Sequence, residues 1–169
     1  WGCLKKILSE APVSYVKWDM NRPLSDRGSQ ALPPDRRGEL SHRYVLGLYE
    51  LLERLVTGFP DILLETCSGG GARFDPGMLY YSPQIWCSDD TDAVERLLIQ
   101  EGTALVYPLS AIGSHVSDCP NHTVGRTTPI ETRALVAMAG TFGYEMDITR
   151  IPEEDRSQIP EQIRRYKKH

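Results

Sequence analysis

The sequence predicts an α/β fold built on a parallel sheet, and three observations carry that prediction. Short apolar runs alternate with segments of helical periodicity along the chain, which implies parallel strands joined by right-handed crossovers. A polar side chain stands at the end of nearly every expected strand: Asp19, Cys67, Asp89, His115 and Asp147. No Gly-x-Gly-x-x-Gly follows the first strand and no phosphate-binding loop is present. Chemistry-bearing residues supplied by several strand ends are the pattern of a (β/α)8 barrel. A complete barrel takes about 250 residues. The 169 residues of this chain therefore predict an incomplete (β/α)8 TIM barrel, a single partial catalytic domain over residues 1–169.

The elements follow in order. Gly2 to Glu10 reads as the tail of a helix, closed by Pro12. Val13 to Asp19 is the first strand. Residues 22–38 form a polar loop rich in Pro and Gly, too long to be idle in a compact domain. Tyr44, Leu48, Leu51, Leu52 and Leu55 recur at helical spacing, and Gly58 and Pro60 stop that helix. Ile62 to Glu65 is a short strand followed by the run Cys67 to Gly71, and Ile85 to Ser88 is a third strand. Thr91 to Gln100 predicts a helix with Ala93, Val94, Leu97 and Leu98 inward and Gly102 as its stop. Ala104 to Pro108 reads as a fourth strand. Thr128-Pro129-Ile130-Glu131 predicts a capping box opening a helix through Met138. Thr141 to Asp147 is the last strand, and a charged helical segment runs from Pro152 to His169.

Composition narrows the function classes. A formal net charge of -4 and a pI of about 5.6 argue mildly against a nucleic-acid partner, which usually wants a basic face. No run approaches the roughly 20 apolar residues of a membrane span. The N-terminus has neither an initiator Met nor the apolar core of a signal peptide. It is expected to be the interior of a longer protein. Cys3, Cys67, Cys87 and Cys119 show no paired spacing, which favours a reduced, cytoplasmic setting with secretion as the alternative. Cys119-Pro-Asn-His122 has ligand-like spacing, but no second pair completes a structural zinc site. No metal or organic cofactor is expected.

The densest chemistry lies at Lys17-Trp18-Asp19-Met20-Asn21. Strand side chains alternate faces, so Tyr15, Lys17, Asp19 and Asn21 share one side while Val16 and Trp18 take the other. Glycoside cleavage needs two carboxylates, one to attack or activate water and one to protonate the leaving oxygen. Asp19 and Asp89 stand on different strand ends and qualify. Asp89 has a second reading as the cap of the helix near Thr91. Asp90 and Asp92 read as first-turn residues that complement the helix dipole. Lys17 could hold a sugar hydroxyl and keep Asp19 ionised, or form an ion pair inside the barrel. Asn21 could serve a hydroxyl or cap a turn. Ser68-Gly69-Gly70-Gly71 lets backbone approach a ligand closely, or is a flexible loop. Cys67 could line the barrel or be a buried, inert thiol; Trp86 could stack on a sugar ring, though alternation sets it opposite Asp89 as a packing residue; and His115 could be catalytic or structural. Ser110, His115 and Asp118 can be drawn as a triad, but no nucleophile elbow supports it.

Five sequence blocks carry a family resemblance. They are Tyr15-Val-Lys-Trp-Asp-Met-Asn-Arg22; Glu65-Thr-Cys-Ser-Gly-Gly-Gly-Ala-Arg-Phe-Asp-Pro-Gly-Met-Leu-Tyr-Tyr81; Trp86-Cys-Ser-Asp-Asp-Thr-Asp-Ala-Val-Glu-Arg-Leu97; His115-Val-Ser117 with Pro120-Asn-His122; and Thr128-Pro-Ile-Glu-Thr-Arg133. In this order they resemble the catalytic domain of glycoside hydrolase family 36, the microbial and fungal α-galactosidases, or melibiases. The resemblance implies retaining, exo-acting hydrolysis of terminal α-galactosides such as melibiose and raffinose-type oligosaccharides. Asp19 would be the nucleophile and Asp89 the acid/base. Lys17, Asn21, Cys67, Gly69 and Gly70 would line the galactose pocket. The chain would cover about strands 4 to 8 of the barrel, without the earlier strands that hold further sugar contacts. The parent protein is expected to be a homo-oligomer, and the isolated piece to be inactive. Asp90 stands where the family commonly has Asn, and Pro160 interrupts the final helix. The alternatives are galactosyl transfer or cleavage of an N-acetylated relative on the same fold, or a barrel remnant that binds carbohydrate without catalysis.

Overall fold

The computed structural model describes residues 1–21, 25 and 27–168. Part of the long polar loop, Arg22 of the first block, and His169 lie outside the described residues. The elements are α1 (Gly2–Glu10), β1 (Tyr15–Asp19), α2 (Leu40–Gly58), β2 (Leu63–Cys67), α3 (Pro76–Tyr81), β3 (Gln84–Ile85), α4 (Ala93–Ala104), β4 (Gly113–Ser117), α5 (Ile130–Ala137), β5 (Thr141–Glu145) and α6 (Glu153–Tyr166).

All the paired strands are parallel. They run in the order β1-β2-β3, then β4-β5. A parallel bridge between Ile85 and Ile112 joins the two groups. The register sets Lys17 beside Glu65, Asp19 beside Cys67, Glu65 beside Gln84, and Ser117 beside Glu145. Alternation therefore gives β1 to β3 a polar face carrying Tyr15, Lys17, Asp19, Glu65, Cys67 and Gln84. The opposite face is apolar. Leu64 and Ile85 pack there with Leu8 of α1, Leu52 and Leu55 of α2, and Met78 of α3, joined by Val16 and Trp18. A second cluster sets Ile130, Ala134 and Ala137 of α5 on Val116 of β4 and on Phe142 and Tyr144 of β5. The helices thus cover one side of the sheet and leave the polar side to form a site.

Several expectations change. The chain from Ala104 to Pro108 is not a strand: α4 runs through Gly102 to Ala104, and Leu105 and Val106 are strongly exposed. The fourth strand is Gly113–Ser117. Its small residues carry little strand propensity, yet they fit, because a Cβ at Gly113 would lie 3.4 Å from Trp86. Of the residues expected to point inward on α4, Ala93 is buried but Val94, Leu97 and Leu98 are exposed. The buried positions are Arg96 and Gln100. Each satisfies polar groups the core would otherwise strand: Arg96 donates to the Ser88 carbonyl, and Gln100 donates to the Val136 carbonyl while accepting from Ser114 Oγ.

The cap of α4 is Asp92, whose carboxylate accepts from Val94 and Glu95 N–H and pairs with Arg126. Asp89 does not cap it. Thr128 caps nothing either, since α5 begins after Pro129 with no side-chain cap. The third strand pairs only at Gln84–Ile85, although Trp86 N–H still reaches the Thr66 carbonyl at 3.0 Å. β5 ends at Glu145, and Asp147 instead binds Thr149 in a turn. The short helix α3 is an element beyond those the periodicity predicts. Its signal is present in Asp75-Pro76: Asp75 accepts from Met78 N–H and Pro76 holds the first turn. Pro160 is accommodated inside α6.

Candidate active site

The strand ends open onto a cavity of about 490 Å³. β1 contributes Lys17 and Asp19, β2 Cys67, and the segment after β3 contributes Trp86, Asp89 and Thr91. Ser117 of β4, Asp118 and His122 beyond it, and Glu145 of β5 complete the lining. The two carboxylates expected to act together, Asp19 and Asp89, face this one space.

Asp19 is held from its own strand end. Asn21 Nδ2 donates to Asp19 Oδ2 at 2.9 Å, and Asn21 Oδ1 accepts from Gly69 N–H at 2.6 Å. Asn21 therefore couples Asp19 to the glycine loop, and neither Asn21, Gly69 nor Gly70 is among the cavity's lining residues. Cys67 stands beside Asp19 in register. Burial pushes its thiol pKa up, and the hydrogen bond and charge of Asp19 push the same way, against the Gly70 backbone and Lys17. The thiol stays protonated and can act only as a weak donor.

Lys17 makes its ion pair with Glu65, at 3.6 Å, rather than with Asp19. Its ammonium also lies 4.9 Å from the Trp86 ring centre. Glu65 is completely buried and accepts from Gln84 Nε2 at 2.7 Å. Burial raises its pKa to about 7, opposed by the Gln84 bond and reinforced by the charge of Glu145.

Asp89 Oδ1 accepts from the Trp86 indole N–H at 2.9 Å, so Trp86 does not face away from it. The chain turns after β3, and strict alternation ends there. The Trp86 ring stacks on His115 at 4.6 Å and beneath the Arg96 guanidinium at 4.1 Å. His115 Nδ1 meets Glu145 Oε2 at 2.6 Å. Burial lowers the His115 pKa against the pull of Glu145. For Glu145, burial is outweighed by the His115 bond and by the charges of His115, Lys17 and Arg96, and its pKa is lowered.

The triad of Ser110, His115 and Asp118 does not assemble. His115 is committed to Glu145, and Ser110 lines a separate cavity with Gly140 and Tyr166. Cys119 is engaged with Thr128, and among the described residues no group of three or more His, Cys, Asp or Glu side chains is placed to hold a metal ion. Among the same residues, no helix is long and apolar enough to cross a membrane. Thr91, Ser117, Asp118, His122 and Glu145 line the cavity in addition to the residues that the sequence assigns to a sugar pocket. The alternation of Gly143 and Glu145 on β5 was the available signal for Glu145.

The Melibiase family model matches residues 1–169. The α-galactosidase AgaA of Geobacillus stearothermophilus is 57% identical over 164 residues, covering 97% of this chain and 22% of that protein. The α-galactosidase Mel36A of Lactobacillus acidophilus is 58% identical over 163 residues, covering 96% and 22%. A crystal structure of AgaA superposes with a TM-score of 0.96 at 56% identity, covering 99% of this chain and 23% of that one. A variant of the same enzyme in complex with raffinose gives 0.97 at 55% identity, with the same coverage. The chain thus spans about a fifth of the length of the relatives it matches. By a match that runs its full length, the chain belongs to the Melibiase family.

Proposed function

We propose that residues 1–169 are a partial (β/α)8 barrel, about strands 4 to 8, carrying the catalytic carboxylates of a longer retaining α-galactosidase. The observation that carries this is the shared cavity: Asp19 and Asp89 reach it from different strand ends. In the parent protein the substrate is a terminal α-galactoside of the melibiose and raffinose type. This reading is supported by the raffinose complex of a relative. The four unpaired thiols fit a reduced cytoplasmic setting. Assembly of the parent as a homo-oligomer is part of the same proposal.

The chemistry is a double displacement. Asp19 attacks the anomeric carbon while Asp89 gives its proton to the departing glycosidic oxygen. The covalent galactosyl-enzyme is then opened by water, whose proton returns to Asp89, and α-galactose leaves with its configuration kept. Lys17 and the neutral Cys67 thiol bind sugar hydroxyls beside Asp19. Asn21 and the Gly69–Gly70 backbone support that wall from behind.

The test uses the full parent protein. Asp19→Gly should abolish turnover of an activated α-galactoside, and added azide should restore it with formation of the inverted β-galactosyl azide. Unchanged turnover in Asp19→Gly would sink the assignment. Product analysis with raffinose then separates hydrolysis from galactosyl transfer.

A further inference from the structure

We propose that Trp86 is a positioning residue for the acid/base, its indole N–H fixing Asp89 so that the transferable proton sits on Oδ2. The inference rests on the proposed role of Asp89 and extends it to the orientation of the carboxyl group.

An indole N–H can donate and cannot accept. It donates to Asp89 Oδ1 at 2.9 Å. The better acceptor of a protonated carboxyl group is its carbonyl oxygen, so Oδ1 takes carbonyl character and the hydroxyl falls to Oδ2. Asp89 itself is exposed, and without this bond its side chain would be free to rotate. Trp86, by contrast, is only 4% exposed.

The ring is held by groups that are themselves fixed. Arg96, 4.1 Å from the ring centre, is buried and anchored on the Ser88 carbonyl at 3.2 Å and on Cys87 Sγ at 3.0 Å. His115, stacked at 19°, is anchored on Glu145. Strands β3, β4 and β5 and helix α4 therefore converge on one indole, whose single polar atom is spent on Asp89. Packing and the Arg96 and Lys17 contacts use only the ring face and leave the N–H unemployed. The N–H distinguishes the two roles.

The consequence is a dependence on the leaving group. Departure of a sugar alkoxide needs the proton of Asp89, whereas an acidic phenol leaves with little help. In the full parent protein, replacement of Trp86 by 3-benzothienylalanine keeps the bicyclic ring and exchanges N–H for sulfur. The expected result, read in kcat/KM because it reports formation of the galactosyl-enzyme and not its opening by water, is a fall of about 10- to 100-fold for raffinose and less than about threefold change with an aryl α-galactoside bearing an acidic phenol. Trp86→Phe should show the same selectivity. An equal loss on both substrates, or none on either, overturns the proposal.

A second readout does not depend on turnover. With the indole nitrogens labelled with 15N, the Trp86 cross-peak, assigned by its loss in Trp86→Phe, should move in Asp89→Asn. An unmoved cross-peak overturns the pairing. If the cross-peak moves but Asp89→Asn hydrolyses raffinose at the full rate, the acid/base role itself is overturned, and the proton assignment with it.

Discussion

Glu65 shows how a single side chain makes the site responsive to pH. It is fully buried on the polar face of the sheet, with Gln84 on one oxygen and the other left to Lys17 at 3.6 Å. Its pKa rises from an ordinary 4.5 to about 7. Between those pH values the folded protein holds a proton that the unfolded chain has released. Stability therefore falls as pH rises through this window, and the penalty is complete above about pH 7. At about 1.4 kcal/mol per tenfold change in proton affinity, it reaches on the order of 3 kcal/mol. Glu65→Gln cannot ionise and escapes this penalty. In the parent protein, the apparent Tm of Glu65→Gln relative to wild type should increase from pH 5 to pH 8. A difference that stays flat across that range would show that Glu65 does not titrate there. This residue illustrates what sequence conveys and what it hides. Alternation puts Glu65 on the face of Cys67, but its partners come from β1 and β3, and register is a property of the folded sheet.

At the scale of elements, the glycine loop after β2 packs closely against the rest of the site. Gly70 has φ of +78°, and a Cβ built there would lie 2.8 Å from Ser88 Cα and 3.0 Å from Asp89 N. The loop therefore packs against the backbone that presents Asp89, while Gly69 N–H grips Asn21 and so Asp19. One short loop fixes both strand ends. Gly70→Ala combines an unfavourable positive φ, worth about 1–2 kcal/mol, with a backbone clash that must displace Asp89. It should lower both the Tm and kcat of the parent protein. Gly69→Ala meets nothing within 4 Å despite its φ of +54°, so it should lower the Tm less. Equal thermal effects would mean that the loop does not buttress the Asp89 segment. The same scale shows where sequence patterns hold and where they break. β1, β2 and the later turns of α2 follow their apolar periodicity because they pack an apolar core, while Tyr44 at the start of α2 is exposed. α4 and β4 escape it, because Arg96, Gln100 and Ser114 are buried through hydrogen bonds and the apolar Leu97 and Leu98 face out. Burial of a satisfied polar group leaves no hydrophobic period to read.

At the scale of the whole molecule, the sheet is open. Among the described residues β1 pairs only with β2, and β5 only with β4, so one edge of each is unpartnered. A closed barrel has no such edges, and exposed edges invite pairing with another chain. The outer surface adds to the tendency, since Leu98, Leu105 and Val106 are 71%, 84% and 74% exposed. Among the described residues the cavity is lined only from β1, β2, β4, β5 and the segments that follow β3 and β4, all on one side of an unclosed sheet. Substrate positioning contributes much of an enzyme's rate, and a misplaced sugar loses it. Residues 1–169 produced alone should therefore self-associate by light scattering and fail to turn over an aryl α-galactoside that the full parent protein cleaves. Supplying the remaining parent segment as a second chain should pair the free edges, suppress the association and restore measurable turnover. An isolated chain that stays monomeric and hydrolyses the substrate would show that these strands form a self-sufficient catalyst and that closure of the sheet is dispensable for the chemistry.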